Sequence, residues 1–252
     1  MPRANRHFLA GQVWHVTHRC HERAFLLKFA RDRRRYLQWL FEAKRRFGLC
    51  VLDYMVTCNH VHLLLKDDGS GVIARSMQLV AGRTAQEFNQ RKTRKGAFWE
   101  DRYHATTIDT NEHLLRCLVY IDLNMVRAGV VQHPRAWPHS GYNEIQQPPE
   151  RYALIDLQCL TELCGFNGIA AFQSAHRSWI AAAVDQPDNR RDAHWTEAVA
   201  VGSQTFVTHI KDQLGSAGTH RAVSATGVAH VLREPVFPYD AVFPTENRTL
   251  SG

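Results

Sequence analysis

Hydrophobic and polar positions follow regular periods through the first half of the chain, and these periods predict its secondary structure. Alternation or a short apolar run predicts four β-strands, at residues 12–19, 49–56, 60–66 and 98–108, the last interrupted by charged residues. Apolar residues that recur every three or four positions predict three amphipathic helices, at residues 29–47, 73–90 and 111–127. Gly48 and Gly129 are the expected ends of the first and third helices, and Thr110 is the expected N-cap of the third.

The order of these elements is β-α-β-β-α-β-α, which is typical of a ferredoxin-like (RRM-like) α+β fold. Only Thr57-Cys58-Asn59 separates the second strand from the third, so these two strands are expected to form an antiparallel hairpin. We therefore predict an antiparallel sheet with helices on one face.

The second half of the chain is expected to be a mainly helical C-terminal extension. A boundary is predicted near Gln146-Gln147-Pro148-Pro149, which divides the chain into residues 1–147 and residues 148–252. Three further helices are predicted, at residues 154–164, 169–183 and 206–214. A polar linker is expected at residues 185–192, and the small residues and prolines that follow Gly215 predict a loosely ordered tail.

Composition narrows the range of partners and compartments. The chain has 252 residues, a net charge of +7 and an isoelectric point near 9.3, which favours a polyanionic partner. Its six cysteines form no Cys-x-x-Cys pair, so free thiols in a reducing compartment are expected. The sequence shows neither a long apolar run nor an apolar segment after the basic N-terminus, so we expect no membrane contact and a cytoplasmic location.

The third predicted strand carries two histidines on one face. Side chains alternate along a strand, so His60 and His62 point the same way, roughly 6–7 Å apart at their Cα atoms. Val61 and Leu63 point the opposite way, into the core. Two imidazoles on a rigid strand can hold a divalent metal, although such a pair alone is more often structural.

The third predicted helix presents two further polar groups together. Tyr120 and Asn124 are four residues apart, so they lie on one helix face. The Asn124 amide can complete a metal site with two histidines, and the Tyr120 phenol can attack a metal-polarised phosphate.

Three ordered motifs resemble those of the single-tyrosine HUH transposases, most closely the REP-associated tyrosine transposases. They are Asn59-His60-Val61-His62, the segment from Phe98 to His104, and the segment from Tyr120 to Gly129. The resemblance covers about residues 8–145. It implies an enzyme that cuts and rejoins single-stranded DNA at short motifs beside imperfect hairpins such as REP-like repeats, as a monomer or a homodimer.

The resemblance also assigns roles to residues. It implies that His60, His62 and Asn124 bind magnesium or manganese and that Tyr120 is the nucleophile. The expected product is a 5′-phosphotyrosine link with a free 3′-hydroxyl. The chain departs from the family pattern where Thr57-Cys58 replaces Met-Pro, where Met125 replaces proline and where His104 replaces lysine; none of these changes removes a catalytic group.

Basic residues near the motifs are candidates for contact with DNA phosphates. The main candidates are Arg19, Arg83, Arg102 and Arg127. Exposed aromatic residues beside them would stack on unpaired bases, with Trp99 and Tyr103 as candidates.

Other interpretations stay open at the level of sequence. A domesticated protein could bind repeat hairpins without cutting, although the complete set of catalytic residues argues against it. A relaxase or replication-initiator-type nickase would use the same chemistry, but such enzymes are larger and often carry paired tyrosines. An RNA-binding ferredoxin-like domain would need aromatic residues on its central strands, where His60 and His62 stand.

A zinc site is a further alternative. It would use His15, His18, Cys20 and His21, but their spacing does not match the usual paired-ligand patterns. Strand alternation also sends His15 and His18 to opposite faces.

Overall fold

Seven strands form one continuous sheet at the centre of the molecule. The computed structural model describes residues 9–110, 112–185, 192–227 and 229–234. The strands are β1 (Val13–Arg19), β2 (Cys50–Val56), β3 (His60–Lys66), β4 (His104–Ile108), β5 (Ala200–Gly202), β6 (Ala222–Thr226) and β7 (Ala229–Arg233). Their order across the sheet is β2-β3-β1-β4-β5-β7-β6, and all neighbours are antiparallel except β4 and β5.

Helices connect the strands and cover the sheet. Within the described residues they are α1 (Ala30–Phe47), α2 (Val72–Arg91), α3 (Glu112–Asp122), α4 (Asn124–Arg127), α5 (Gly141–Gln146), α6 (Leu157–Leu163), α7 (Ile169–Asp185), α8 (His194–Glu197) and α9 (Gln204–Gln213). The elements from β1 to α3 follow the predicted β-α-β-β-α-β-α order, and the predicted α+β ferredoxin-like class is confirmed. None of the helices described is long and apolar enough to cross a membrane.

Helices lie on both faces of the sheet. On one face, Trp99 stacks on His18 of β1 with ring centroids 4.0 Å apart, and its Nε1 donates a hydrogen bond to the carbonyl of Ala81 in α2 at 3.0 Å. Tyr36 of α1 contacts the same indole. On the opposite face, the α8 backbone contacts His15 of β1. Of the three helices predicted for one face, α1 and α2 therefore lie there, whereas α3 lies on the other face together with α8.

The strand predicted at residues 98–108 was too long, because only His104–Ile108 joins the sheet as β4. Trp99 instead makes an isolated bridge with Cys20 and packs on His18. Three charged residues follow the indole, and all three are exposed: Glu100, Asp101 and Arg102. The Trp99 indole packs on His18 and does not continue the strand, and an exposed charged turn follows it, which explains why strand pairing begins only at His104.

The helix predicted at residues 111–127 is divided at Leu123. This residue has φ −81° and ψ 3°, which separates α3 from α4. The helical path continues through the break, because Leu123 N–H donates to Val119 O at 3.0 Å and Arg127 N–H donates to Leu123 O at 2.9 Å. The spacing between Tyr120 and Asn124 is therefore retained. The predicted N-cap Thr110 precedes residue 111, which lies outside the described residues.

The C-terminal region contributes strands that its sequence did not predict. β5 adds to β4 in parallel, and the hairpin of β6 and β7 extends the sheet further. Part of the expected loose tail is thus a β-hairpin. Residues 186–191 of the predicted linker and residues 235–252 lie outside the described residues. The predicted division at residue 147 stays a prediction.

A polar cluster that runs from the surface to a buried ion-pair position ties α7 to the end of α3. Arg177 Nη1 donates to Gln146 Oε1 at 2.6 Å, which leaves Gln146 Nε2 to donate to His176 Nδ1 at 2.9 Å. His176 Nε2 therefore donates to Asp122 Oδ2 at 2.8 Å, with both side chains fully buried. Asp53 of β2 is also fully buried, and burial together with the Asp122 charge raises its pKa well above the usual value.

This raised pKa predicts how stability depends on pH. Above about pH 4 the unfolded chain ionises Asp53 while the folded protein keeps its proton, so unfolding releases a proton and stability falls as pH rises. We expect Asp53→Asn to gain stability relative to the unsubstituted protein as pH rises, by up to about 1.4 kcal/mol per pH unit. Urea unfolding at pH 5 and pH 7.5 measures the difference, with the exposed Asp185→Asn as the control for a lost charge. If the stability difference between Asp53→Asn and the unsubstituted protein were the same at both pH values, the raised pKa of Asp53 would be contradicted.

Candidate active site

The two histidines of β3 converge on the face of the sheet that carries α3 and α8. Their ring centroids are 4.9 Å apart and the ring planes are inclined by 76°. His60 is partly exposed, whereas His62 is buried. The shared face predicted from strand alternation is therefore present in the structure.

Hydrogen bonds from the β2–β3 turn hold His60. Its Nδ1 lies 2.7 Å from Asn59 Oδ1 and 3.0 Å from Thr57 Oγ1. The Thr57 hydroxyl also donates to His60 O at 2.8 Å and accepts from His60 N–H at 3.0 Å. The Asn59 amide reaches further, donating from Nδ2 to Arg23 O at 3.1 Å. The Thr57 hydroxyl thus closes the turn between β2 and β3. In the family that the sequence resembles, proline often stands at the position after Thr57.

His62 is held by a second histidine that lies on β1. His15 Nε2 lies 2.9 Å from His62 Nδ1, and His15 Nδ1 lies 2.8 Å from the carbonyl of Trp195 in α8. The two ring planes differ by 10° and their centroids are 5.1 Å apart, so the rings meet edge to edge. Burial lowers the pKa of His15 to about 4, which keeps its ring neutral at physiological pH.

Tyr120 and Asn124 face this histidine pair from either side of the break at Leu123. Asn124 Nδ2 lies 3.1 Å from His62 Nε2. The Tyr120 ring centroid lies 6.0 Å from that of His62 and 6.1 Å from that of His15. The predicted strand pair and the predicted helix pair therefore form one cluster.

Arg127 and Trp195 enclose the Tyr120 ring. The Arg127 guanidinium carbon lies 4.3 Å from the ring centroid, and its Nη2 donates to Tyr120 O at 2.5 Å. The Trp195 ring centroid is 6.1 Å away, and Tyr120 is only 8% exposed. Arg127, predicted as a DNA contact, thus lies on the candidate nucleophile.

The donor set at the cluster fits a divalent metal. His60, His62 and Asn124 offer two imidazole nitrogens and one amide, and three neutral ligands leave the charge of the ion undiminished. The amide would coordinate through its oxygen, which a half-turn of the Asn124 side chain brings to where its nitrogen now lies. In the part of the chain that the structure describes, no group of three or more His, Cys, Asp or Glu side chains is placed to hold a metal. His15 and His18, two residues of the zinc alternative, lie on opposite faces of the sheet.

The remaining predicted DNA contacts lie on the surface around the sheet. Arg19 Nη1 lies 3.9 Å from Glu100 Oε2, the Arg83 guanidinium lies 4.9 Å from the Trp39 ring centroid, and Arg102 is exposed. Their contact with DNA stays a prediction. The predicted stacking residue Tyr103 is buried.

The sequence reasoning missed two features of this surface. Phe25 and Phe29 are 65% and 56% exposed, in the loop that leads from β1 to α1. A cleft of about 550 Å³ also opens between α1 and α2, and its lining includes Arg31, Arg34 and Arg91. A loop aromatic has no periodic signal that would reveal its exposure.

Comparisons with known proteins identify a matching family and a similar fold. Residues 10–124 match the protein family described as IS200-like transposase. A solved structure of a REP-associated tyrosine transposase bound to a REP hairpin is similar in fold, with a TM-score of 0.50 and 17% identity over 61% of this chain and 90% of that chain. A crystal structure from Deinococcus radiodurans R1, described as a proposed transposase, matches with a TM-score of 0.33 and 17% identity over 41% of this chain and 83% of that one. No curated protein matches the chain.

Proposed function

We propose that this protein cleaves and rejoins single-stranded DNA through a covalent link to Tyr120, because residues 10–124 match the family described as IS200-like transposase. The observation that carries the proposal is the placement of the Tyr120 ring beside His62 and His15, with Asn124 in contact with His62 Nε2. A nucleophile beside two imidazoles and an amide suits phosphoryl transfer.

His60, His62 and Asn124 would hold a magnesium or manganese ion. When bound, such an ion neutralises phosphate oxygens and orients the phosphodiester for attack. Hydrogen bonds to Asn59 and to His15 fix the ring orientations of His60 and His62 before any ion binds.

Tyr120 supplies the nucleophilic oxygen. Its Oη forms a bond to phosphorus, the phosphorus–O3′ bond breaks, and the leaving 3′-oxygen gains a proton while the phenol loses one. The products are a 5′-phosphotyrosine and a free 3′-hydroxyl. Attack by a 3′-hydroxyl on that link reverses the step, so rejoining needs no nucleotide cofactor.

Arg127 assists the nucleophile from the face of its ring. A guanidinium 4.3 Å from the ring centroid favours negative charge that develops on the phenol, and its hydrogen bond to Tyr120 O fixes its place. Arg127 thus acts on Tyr120 through the electric field of its charge.

The proposed substrate is single-stranded DNA that carries an imperfect hairpin, such as a REP-like repeat. The structural neighbour is bound to a REP hairpin, and the net charge of +7 suits a polyanion. Phe25 lies in a loop that is tied to the turn before His60, because Leu27 N–H donates to Cys58 O at 2.9 Å and Arg23 O accepts from Asn59. An exposed aromatic at this place can stack on an unpaired base beside the site.

Binding is expected to depend strongly on salt and on Phe25. Four phosphate contacts correspond to a loss of roughly 50-fold in affinity between 50 and 200 mM salt. Loss of one stacked base in Phe25→Ala should weaken binding by about tenfold or more. Fluorescence anisotropy with a labelled hairpin strand measures both effects. Tyr152→Ala, which removes another exposed aromatic, is the matched control, and equal effects of the two substitutions would contradict the stacking role.

The test of the proposed function is a covalent-adduct assay. The protein is incubated with manganese and single-stranded DNA hairpins taken from the sequences that flank its gene, labelled on the strand 3′ of the cut. We expect a denaturation-resistant protein–DNA band that EDTA prevents. DNA binding without such a band would overturn the proposal and favour a hairpin-binding protein that does not cut.

A paired-tyrosine nickase is less well supported by the site. The rings that contact Tyr120 include those of His15, His62 and Trp195. The residue one helical turn after Tyr120 on the same helix face is Asn124 and not a second tyrosine.

A further inference from the structure

We propose that Asn59 and His15 are positioning residues that preset His60 and His62 in the Nδ1–H tautomer, so that each ring presents its Nε2 lone pair to a metal. The role of that lone pair in metal binding rests on the proposed function. The tautomers themselves follow from hydrogen bonds in the protein alone.

The first chain of hydrogen bonds fixes His60. The carbonyl of Arg23 can only accept, so the Asn59 amide nitrogen must face it, 3.1 Å away. This orientation directs Asn59 Oδ1 to His60 Nδ1 at 2.7 Å. An amide oxygen only accepts, so His60 Nδ1 carries the proton. A neutral ring has one N–H, which leaves the lone pair on Nε2.

The second chain fixes His62. The carbonyl of Trp195 only accepts, so His15 Nδ1 donates to it across 2.8 Å. His15 is fully buried, and its Nε2 is left to accept from His62 Nδ1–H at 2.9 Å. The nearly coplanar rings give this bond an in-plane geometry. Asn124 Nδ2, a donor, lies 3.1 Å from His62 Nε2 and is consistent with a lone pair there.

Both hydrogen-bond chains start at backbone carbonyls, which lie in distant parts of the sequence. Both leave the lone pair of the histidine ring on Nε2. Arg23 lies in the loop after β1, whereas Trp195 lies in α8. A metal binds the unprotonated nitrogen of an imidazole, and partners on the other nitrogen fix the ring for that purpose. The C-terminal region therefore contributes to the site through the backbone of Trp195.

Histidine-detected ¹⁵N NMR of the metal-free protein tests the tautomers directly. Both His60 and His62 should show a protonated Nδ1 and an unprotonated Nε2. His15→Met offers no donor and only a weak thioether acceptor, whereas His15→Gln offers a donor and an acceptor on one amide. We expect His62 to lose its single tautomer in His15→Met and to keep it in His15→Gln, with His60 unchanged in both.

Calorimetric titration with Mn²⁺ gives the second readout. Loss of an outer partner should weaken metal binding by about 10–100-fold in His15→Met, with recovery in His15→Gln. Asn59→Leu, in the partly exposed turn, should alter the His60 tautomer and leave that of His62 unchanged. The Asn59→Leu variant also allows the inference to be tested if His15→Met does not fold.

The outcomes separate this inference from the proposed function. A protonated Nε2 on either histidine in the unsubstituted protein, or an unchanged His62 tautomer in folded His15→Met, would overturn the inference. If the tautomers are as expected and the adduct assay fails, the proposed function is wrong while the hydrogen-bond assignment stands.

Discussion

Tyr120→Phe is expected to form no covalent DNA adduct, with a loss of at least about 10³-fold in cleavage. The substitution removes only the hydroxyl oxygen, which is the atom that forms the bond to phosphorus. The ring itself stays between the Arg127 guanidinium and the Trp195 indole, so the packing of α3 on the sheet should be retained. The measurement is the fraction of labelled DNA that migrates with the denatured protein.

The control for this substitution is Tyr152→Phe. Tyr152 is 76% exposed and its ring contacts Phe41, with centroids 5.4 Å apart, so the same loss of a hydroxyl should leave adduct formation unchanged. Hairpin binding should be similar in both variants, because neither removes a charge. An undiminished adduct in Tyr120→Phe would show that another residue is the nucleophile.

Alanine at both His60 and His62 is expected to remove Mn²⁺ binding and to lower adduct formation by at least about 10²-fold. Both imidazoles are donors of the proposed site, and the Asn124 amide alone is a weak ligand. The reason for the lost activity is that the phosphate charge is then no longer neutralised during attack. Calorimetric titration with Mn²⁺ and the adduct assay measure the two effects.

His209→Ala is the matched control, because His209 is an exposed histidine on α9. It should bind Mn²⁺ at the proposed site as the unsubstituted protein does. DNA binding at low salt should survive in the double variant, since the arginines that are predicted to contact phosphates remain. Retained Mn²⁺ affinity in a folded double variant would place the metal elsewhere.

The parts of the site that depend on local periods were predictable from the sequence. A two-residue period placed His60 and His62 on one face of β3, and a four-residue spacing placed Tyr120 beside Asn124. Neither inference needs knowledge of distant contacts. The single-residue break at Leu123 did not affect the outcome, because the helical hydrogen bonds continue on both sides of it.

The supporting residues were not predictable for reasons of tertiary structure. His15 reaches His62 only because β1 pairs with β3 in a register that sets Thr17 opposite His62. Trp195 acts through its backbone carbonyl, a group that every residue carries, so the residue type at this position does not indicate the contribution. Arg127 was expected to contact DNA, and only the packing of α4 against α3 shows that it lies on the Tyr120 ring.

The C-terminal strands illustrate a different limit of sequence patterns. Three residues, Ala200–Gly202, are too few to show alternation, yet they form β5 and continue the sheet. The hairpin of β6 and β7 has largely exposed residues on β6, so it also lacks a clear apolar face. Its position depends on the edge that β5 provides.

The parallel pairing of β4 with the C-terminal segment limits how short a working protein can be made. The N–H groups of Thr107 and Asp109 donate to Val199 O and Val201 O, both at 2.9 Å. A chain truncated after residue 147 would leave these donors as an open sheet edge, free to pair with another molecule. The truncation would therefore favour aggregation. It would also remove the Trp195 carbonyl that holds His15. An engineered minimal version of this protein should therefore retain the sequence through β5, although the residues matched by the family end at 124.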